Sequence, residues 1–212
     1  MHRFFVNKSQ IQGEEVVFLD DVQHMRVLRL KVGDEIIACD GEALDYRCRI
    51  VEMGRDRVVA RILDCDRSTP EPPIEIILYQ GLPKLDKMDL VVQKCTEVGV
   101  SRIVPVAAQR SVVQLCGDKA GKRVERLDRI AEASAKQSGR GRIPTIAPVM
   151  SWREAMDDMG NVRNTVGETR FLGLIPYELE KTQSLRSVLS SVRKEEVSTV
   201  AILIGPEGGF TV

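Results

Sequence analysis

Two kinds of residue in this chain can do chemistry. The first is the loop Gly205-Pro206-Glu207-Gly208-Gly209, which directly follows the apolar run 200–204. Glycines keep side chains out of the way and let backbone N–H groups approach a ligand closely. The spacing is neither G-x-G-x-x-G nor a Walker pattern, so it predicts neither a dinucleotide nor a nucleoside triphosphate. A plain tight turn has the same composition. The second kind is basic. His24, Arg26, Arg29 and Lys31 fall within eight residues, with Arg3 nearby in sequence; Lys84 and Lys87 follow Gly81-Leu82-Pro83; and Gln137-Ser138-Gly139-Arg140-Gly141-Arg142 gathers polar and basic groups among glycines. Guanidinium groups hold phosphates well. Each stretch also has an ordinary reading: a solvated helix, a helix start and a helix C-cap.

These groups need elements to position them. Residues 1–66 read as closely spaced strands with one short helix over 22–30, on which Arg26 and Arg29 share a face. That pattern predicts a small barrel. Pro70, Pro72 and Pro73 then break both sheet and helix, and the domain border is placed there. Beyond it strand and helix alternate: strand 74–79, helix 85–98 ending at Gly99, strand 103–108, helix 123–137 before Gly139, a short strand 146–149, helix 152–159, strand 171–175, helix 185–192 and a final strand 200–204 buried on both faces. This is an α/β domain with a parallel sheet. Ligands of such sheets sit beyond the carboxyl ends of the strands, where the 205–209 loop and the loop after Phe171-Leu172-Gly173-Leu174-Ile175-Pro176 would form one crevice. An apolar crevice without a lysine suits an adenine and a sulfonium better than a triphosphate. Thr211 is a good helix N-cap with almost no chain after it, so a further C-terminal segment is expected.

Composition narrows the class. Lys+Arg and Asp+Glu both number 31 in 212 residues, so any nucleic-acid contact must come from a local patch. Aromatic residues are 4%, too few for a base-stacking platform. The five cysteines form no C-x-x-C pair and there are two histidines, which argues against zinc and for reduced thiols in a cytoplasm. No signal peptide is expected, and no run approaches the roughly 20 apolar residues of a membrane helix.

Taken together, the motifs resemble the RsmE family, the small-subunit ribosomal RNA uridine-N3 methyltransferases of the SPOUT (trefoil-knot) superfamily. The residues that carry the likeness are Arg3-Phe4-Phe5, His24-Met25-Arg26-Val27-Leu28-Arg29-Leu30-Lys31-Val32-Gly33-Asp34, and Leu82-Pro83-Lys84 with Lys87-Met88-Asp89. Gln93-Lys94 with Thr96-Glu97-Val98-Gly99-Val100, Glu132-Ala133 with Gln137-Ser138-Gly139-Arg140, and the stretch 203–210 complete it. They run in order along nearly the whole chain. The resemblance implies a PUA-like β-barrel over 1–70 that binds RNA, and an α/β SPOUT methyltransferase domain over 71–212, truncated before its knot is complete. It implies S-adenosylmethionine (SAM) held by Leu172, Gly173, Ile204, Gly205, Pro206, Glu207, Gly208 and Gly209. It implies rRNA contacts from Arg3, His24, Arg26, Arg29, Lys84, Lys87, Gln137, Ser138 and Arg140. A cytoplasmic homodimer acting on 16S rRNA within the small ribosomal subunit follows, with no metal and no membrane. The family has a third cofactor loop further on, with an Arg-Ile-Leu-Arg-type motif, so a chain ending at Val212 is expected to be inactive.

The implied reaction is an in-line displacement in which uridine N3 attacks the methyl of the sulfonium. N3 carries a proton that the site must help remove. Arg29 or Arg140 would stabilise the resulting anion, and Glu207 would act as base or pair with the sulfonium. The target base must be unpaired or flipped out. Two alternatives remain open: an RNA-binding module without catalysis, and a SPOUT methyltransferase acting on another base or a ribose 2′-OH.

Overall fold

The structure is a computed structural model. It describes residues 1–42, 44–67, 71–83, 87–107, 118–177, 180–192 and 196–206, with backbone alone at 118–120. The chain divides into two compact units, Met1–Glu71 with Ala135–Ile143, and Pro72–Ser134 with Pro144–Val212.

The first unit holds β1 (His2–Phe5), β2 (Ile11–Gln12), β3 (Glu15–Phe18), α1 (Val22–Val27), β4 (Glu35–Cys39), β5 (Leu44–Met53) and β6 (Val58–Arg67). One sheet runs β1-β4-β5-β6-β3-β2, parallel only between β1 and β4. Period-two alternation turns Ile36, Ala38, Cys48, Ile50, Val58 and Ala60 into one core with Phe4 and Phe18. Those two rings meet edge to face at 6.0 Å. The β5–β6 register slips twice, between Arg47 and Cys48 and between Ile50 and Glu52; such irregularities bend a long pair of strands around its core.

Helix α1 is shorter than its sequence pattern. The apolar spacing predicts a helix through Leu30, but the helix ends at Val27. Arg29 adopts φ +58°. Its N–H donates to Arg26 O (2.9 Å), and the N–H of Leu30 donates to Met25 O (3.1 Å). These two bonds form a Schellman cap. The apolar spacing persists past the helix because Leu28 and Leu30 still pack on the core that buries Val22 and Met25. Arg26 and Arg29 therefore do not share a helix face, contrary to the expectation.

The second unit carries β7 (Glu75–Gly81), α2 (Lys87–Glu97), β8 (Arg102–Ala107), most of α3 (Asp118–Ser138), β9 (Thr145–Ile146), β10 (Met150–Ser151), α4 (Trp152–Val166), β11 (Phe171–Leu174), α5 (Leu185–Ser191) and β12 (Thr199–Ile204). The last four residues of α3 belong to the first unit. A parallel sheet runs β10-β8-β7-β12-β11, with β9 beside β8. Residues 77–81 of β7 and 103–106 of β8 are buried without alternation, as central parallel strands are. In β12 burial alternates instead: Ala201 and Leu203 are buried while Val200 and Ile202 are half-buried. The final strand is thus fully covered on one face only, not on both as expected. Ile77, Tyr79, Val104, Val106, Ala201 and Leu203 form the core with Ala155 of α4, and Met156, Met159 and Val162 pack on it. That packing carries α4 through Gly160, well beyond the predicted end at 159. Its N-terminus is a capping box: Ser151 Oγ accepts from the Glu154 N–H (3.3 Å), and Glu154 accepts from the Ser151 N–H (2.7 Å).

Candidate nucleic-acid interface and cofactor edge

On the first unit the expected RNA contacts fall into two groups. Arg3 and His24 are tied to the fold. Arg3 donates through both terminal nitrogens to Asp45, at 2.6 and 2.8 Å, and the His24 ring meets Phe4 edge to face at 5.6 Å. Arg26 is exposed and donates from Nη2 to Gly54 O (2.9 Å) and Arg55 O (3.0 Å) in the β5–β6 turn. Arg29 is exposed, and among the described residues no hydrogen bond or ion pair engages its guanidinium. A free guanidinium on a left-handed backbone is an unusual combination, because a non-glycine residue gains nothing local from that conformation.

The segment after α3 joins this same unit. Lys136 Nζ lies 3.8 Å from Asp21, the residue that precedes α1, so the last turn of α3 lies near the start of α1. Gln137 and Ser138, the next two residues, are exposed. Gly139 takes φ +72°, and the N–H of Arg140 donates to Ala135 O (3.0 Å). Arg140 departs from expectation. Its side chain is 3% exposed and donates from Nη2 to Glu71 Oε2 at 2.6 Å. A guanidinium committed to a buried carboxylate offers no free face, so in this structure Arg140 is not presented to RNA or to a uracil oxygen. Lys87 is exposed at the first described turn of α2, on the second unit, and Lys84 lies outside the described residues.

The cofactor edge lies where strands of the second unit end. Ile204 pairs with Gln80, so the chain leaves β12 beside the end of β7. A Cβ built on Gly81 would meet Pro206 Cδ and N at 2.7 Å, which measures how closely the 205–206 backbone presses on β7. Leu172 and Gly173 lie within the strand predicted over 171–175. They lie inside β11, opposite Val200 and Ala201, and β11 ends at Leu174 opposite Ile202. The residues that reach the carboxyl edge are therefore Leu174, Ile175 and Pro176, together with Gln80 and Gly81. Glu207, Gly208 and Gly209 lie outside the described residues. The described edge, residues 80–83, 174–176 and 202–206, holds no charged side chain, and Gln80 is its one polar side chain. Apolar groups and backbone amides without a cation fit an adenosyl group and not a triphosphate. Among the described residues no group of three or more His, Cys, Asp or Glu is placed to hold a metal ion, and no helix is long and apolar enough to cross a membrane.

Sequence reasoning missed Glu71, Asp45 and Gln80 as parts of these sites. Gln80 had a signal, as the single uncharged polar residue inside the apolar run 76–82. Glu71 had none, because its partners lie about 70 residues away.

Residues 70–212 match the family described as RNA methyltransferase domain, and residues 20–63 match the RNA methyltransferase PUA domain. The class is therefore that of RNA methyltransferases with a PUA domain ahead of an α/β methyltransferase domain. The chain is 31% identical over 218 residues to ribosomal RNA small subunit methyltransferase E of Bacillus subtilis (strain 168), covering 100% of this chain and 82% of that protein. A crystal structure of the Neisseria gonorrhoeae ribosomal RNA small subunit methyltransferase E bound to S-adenosyl methionine superposes with a TM-score of 0.78 at 31% identity, over 100% of this chain and 82% of that one. A putative methyltransferase from Legionella pneumophila, in complex with SAM, gives 0.72 at 25% identity, over 99% and 81%. The chain belongs to the ribosomal RNA small subunit methyltransferase E family.

Proposed function

We propose that this chain is a SAM-dependent methyltransferase that modifies N3 of a uridine in the 16S rRNA of the small ribosomal subunit, and that it works as a cytoplasmic homodimer. The observation that carries the reading is the uncharged edge at Ile204, Gly205 and Pro206 beside Gln80 and Gly81, in a chain of this family. SAM, when bound, supplies an electrophilic methyl group on its sulfonium. The chain's own residues do the rest. Ile204, Gly205 and Pro206 hold the adenosyl end with backbone and apolar contacts, together with the 174–176 turn and, by proposal, Leu172, Gly173, Gly208 and Gly209. Glu207 takes the N3 proton or faces the sulfonium.

The division near residue 70 then separates an RNA-holding part from a methyl-transferring part. Arg26 and Arg29 present positive charge to the RNA, with Arg3, His24, Lys84 and Lys87 supporting that contact. Gln137 and Ser138 add polar contacts from the last turn of α3. Holding the uridine beside the methyl supplies much of the rate through orientation alone.

The reading is tested by titrating SAM calorimetrically into the full-length protein and by measuring small-subunit affinity of Arg29→Ala. SAM should bind, and Arg29→Ala should keep that affinity while losing about tenfold in subunit affinity. Absence of SAM binding contradicts the reading and points to an RNA-binding module without catalysis.

A further inference from the structure

We propose that Glu71 is a positioning residue for rRNA recognition: its carboxylate fixes the loop 139–142 and with it the last two residues of α3, Gln137 and Ser138. The inference rests on the reading of this helix end and loop as an rRNA contact. Glu71 Oε1 accepts from the N–H groups of Gly141 (2.9 Å) and Arg142 (3.0 Å) and from Arg140 Nε (3.3 Å), while Oε2 accepts from Arg140 Nη2 (2.6 Å). One carboxylate gathers four donors from three consecutive residues. Bonds to an ionised acceptor are the strong kind, and the pair is withdrawn from water, with Arg140 at 3% and Glu71 at 14% exposure.

The surroundings make this anchor stiff. Pro72 and Pro73 follow Glu71 directly, so the residue that carries the carboxylate is held to extended backbone and the two after it have fixed φ. Cys39 Sγ donates to Gly141 O at 3.0 Å, and Glu42 and Arg142 form a β-bridge, so the loop is pinned to the sheet as well. On the helix side Lys136 reaches Asp21. Gln137 and Ser138 are exposed between these two attachments. Without the carboxylate, the Gly141 and Arg142 N–H groups and the buried Arg140 guanidinium would lose this shared acceptor, and the loop would rearrange to hydrate them.

The test uses the full-length protein, purified small ribosomal subunits and SAM. Glu71→Gln keeps the shape but sets an NH2 group against the Arg140 guanidinium. It should raise KM for the subunit about tenfold, with kcat and SAM affinity within about twofold. Gln137→Ala should raise KM in the wild-type background and have little further effect in Glu71→Gln, because the loop is already displaced. Glu71→Asp, which keeps the charge, should recover part of the loss. If Gln137→Ala raises KM while Glu71→Gln leaves it unchanged, the positioning role is overturned and the loop reading stands. If Gln137→Ala and Ser138→Ala both leave KM unchanged, the loop reading fails and takes the proposal with it. Should Glu71→Gln lose its cooperative unfolding transition, Glu71→Asp carries the test: a KM equal to wild type overturns the proposal.

Discussion

Arg29 stands at the end of α1 where Gly139 stands at the end of α3. Both are the left-handed residue of a Schellman cap, with φ +58° and +72°, and each cap has the same two backbone bonds. The end of α2 repeats the motif with Gly99 at φ +106°. Glycine takes this conformation without a Cβ clash, whereas any other L-residue pays roughly 1–2 kcal/mol. Of these three caps, only that of α1 costs stability, and the side chain it keeps there is exposed and, among the described residues, unpaired. Strain of this kind is retained where the side chain has work outside the fold.

Arg29→Gly should therefore stabilise the protein by about 1 kcal/mol and weaken small-subunit binding. Arg29→Ala should weaken binding equally without the gain, because alanine keeps the Cβ. Denaturant unfolding and subunit affinity measured on both variants check this. Equal stability of the two would show that the backbone at 29 is not strained.

The two glycine caps should differ in their tolerance of alanine. At Gly139 a Cβ meets nothing within 4 Å, so Gly139→Ala should cost only the left-handed penalty of about 1 kcal/mol. At Gly99 the same Cβ would lie 2.5 Å from Pro72 Cγ, so Gly99→Ala should cost about 2–4 kcal/mol. Urea unfolding of the pair measures the difference.

Tyr79, Asp158 and Arg102 bind α4 to the sheet. The Tyr79 hydroxyl donates to Asp158 Oδ2 at 2.6 Å, and Arg102 donates to both carboxylate oxygens at 3.0 and 3.1 Å. Burial, with Asp158 as the next cause, holds the phenol well above its ordinary range. Asp158→Ala leaves the buried hydroxyl without its acceptor and should cost about 2–3 kcal/mol, against about 1 kcal/mol for Tyr79→Phe. SAM affinity should not change in either variant, because none of the three residues is among 80–83, 174–176 and 202–206, which form the edge.

Much of this architecture was legible in the sequence. The run of strands before the prolines and the strand–helix alternation after them each rest on short-range signals, and short-range signals survive folding, whereas the return of Ala135–Ile143 to the first unit does not show in local sequence. Helix ends were less legible. The apolar spacing through Leu30 reads as helix because Leu28 and Leu30 serve the same core after the helix has stopped, and Gly160 reads as a stop although Val162 continues the buried face. The site was legible in its residue types but not in its pairings. Arg29 and Arg140 look alike on paper. Arg29 is exposed and, among the described residues, unpaired, and Arg140 is buried on Glu71, because a pairing across about 70 residues leaves no local trace.

Alkaline stability should report two buried thiols. Burial pushes the Cys39 and Cys48 thiols from 9.0 up to about 11. The unfolded chain therefore loses these protons first, and the folded chain keeps them until about pH 11. Their contribution is whole below about pH 9 and is lost as pH rises through that window. The fall in unfolding free energy between pH 9 and 11 should be shallower in the Cys39→Ala, Cys48→Ala double variant than in wild type. Guanidinium titrations at a series of pH values check the slope.

The central claim is that this chain places a methyl group on N3 of a uridine in small-subunit rRNA. The most direct measurement is to incubate the full-length protein with isotope-labelled SAM and unmodified small subunits, then digest the 16S rRNA and separate its nucleosides by mass spectrometry. The account predicts label in 3-methyluridine, at about a tenth of that rate when Arg29→Ala is assayed at subunit concentrations well below its KM. Label in another base, or in a ribose 2′-OH, would contradict the assigned product, and no label with SAM bound would contradict catalysis itself.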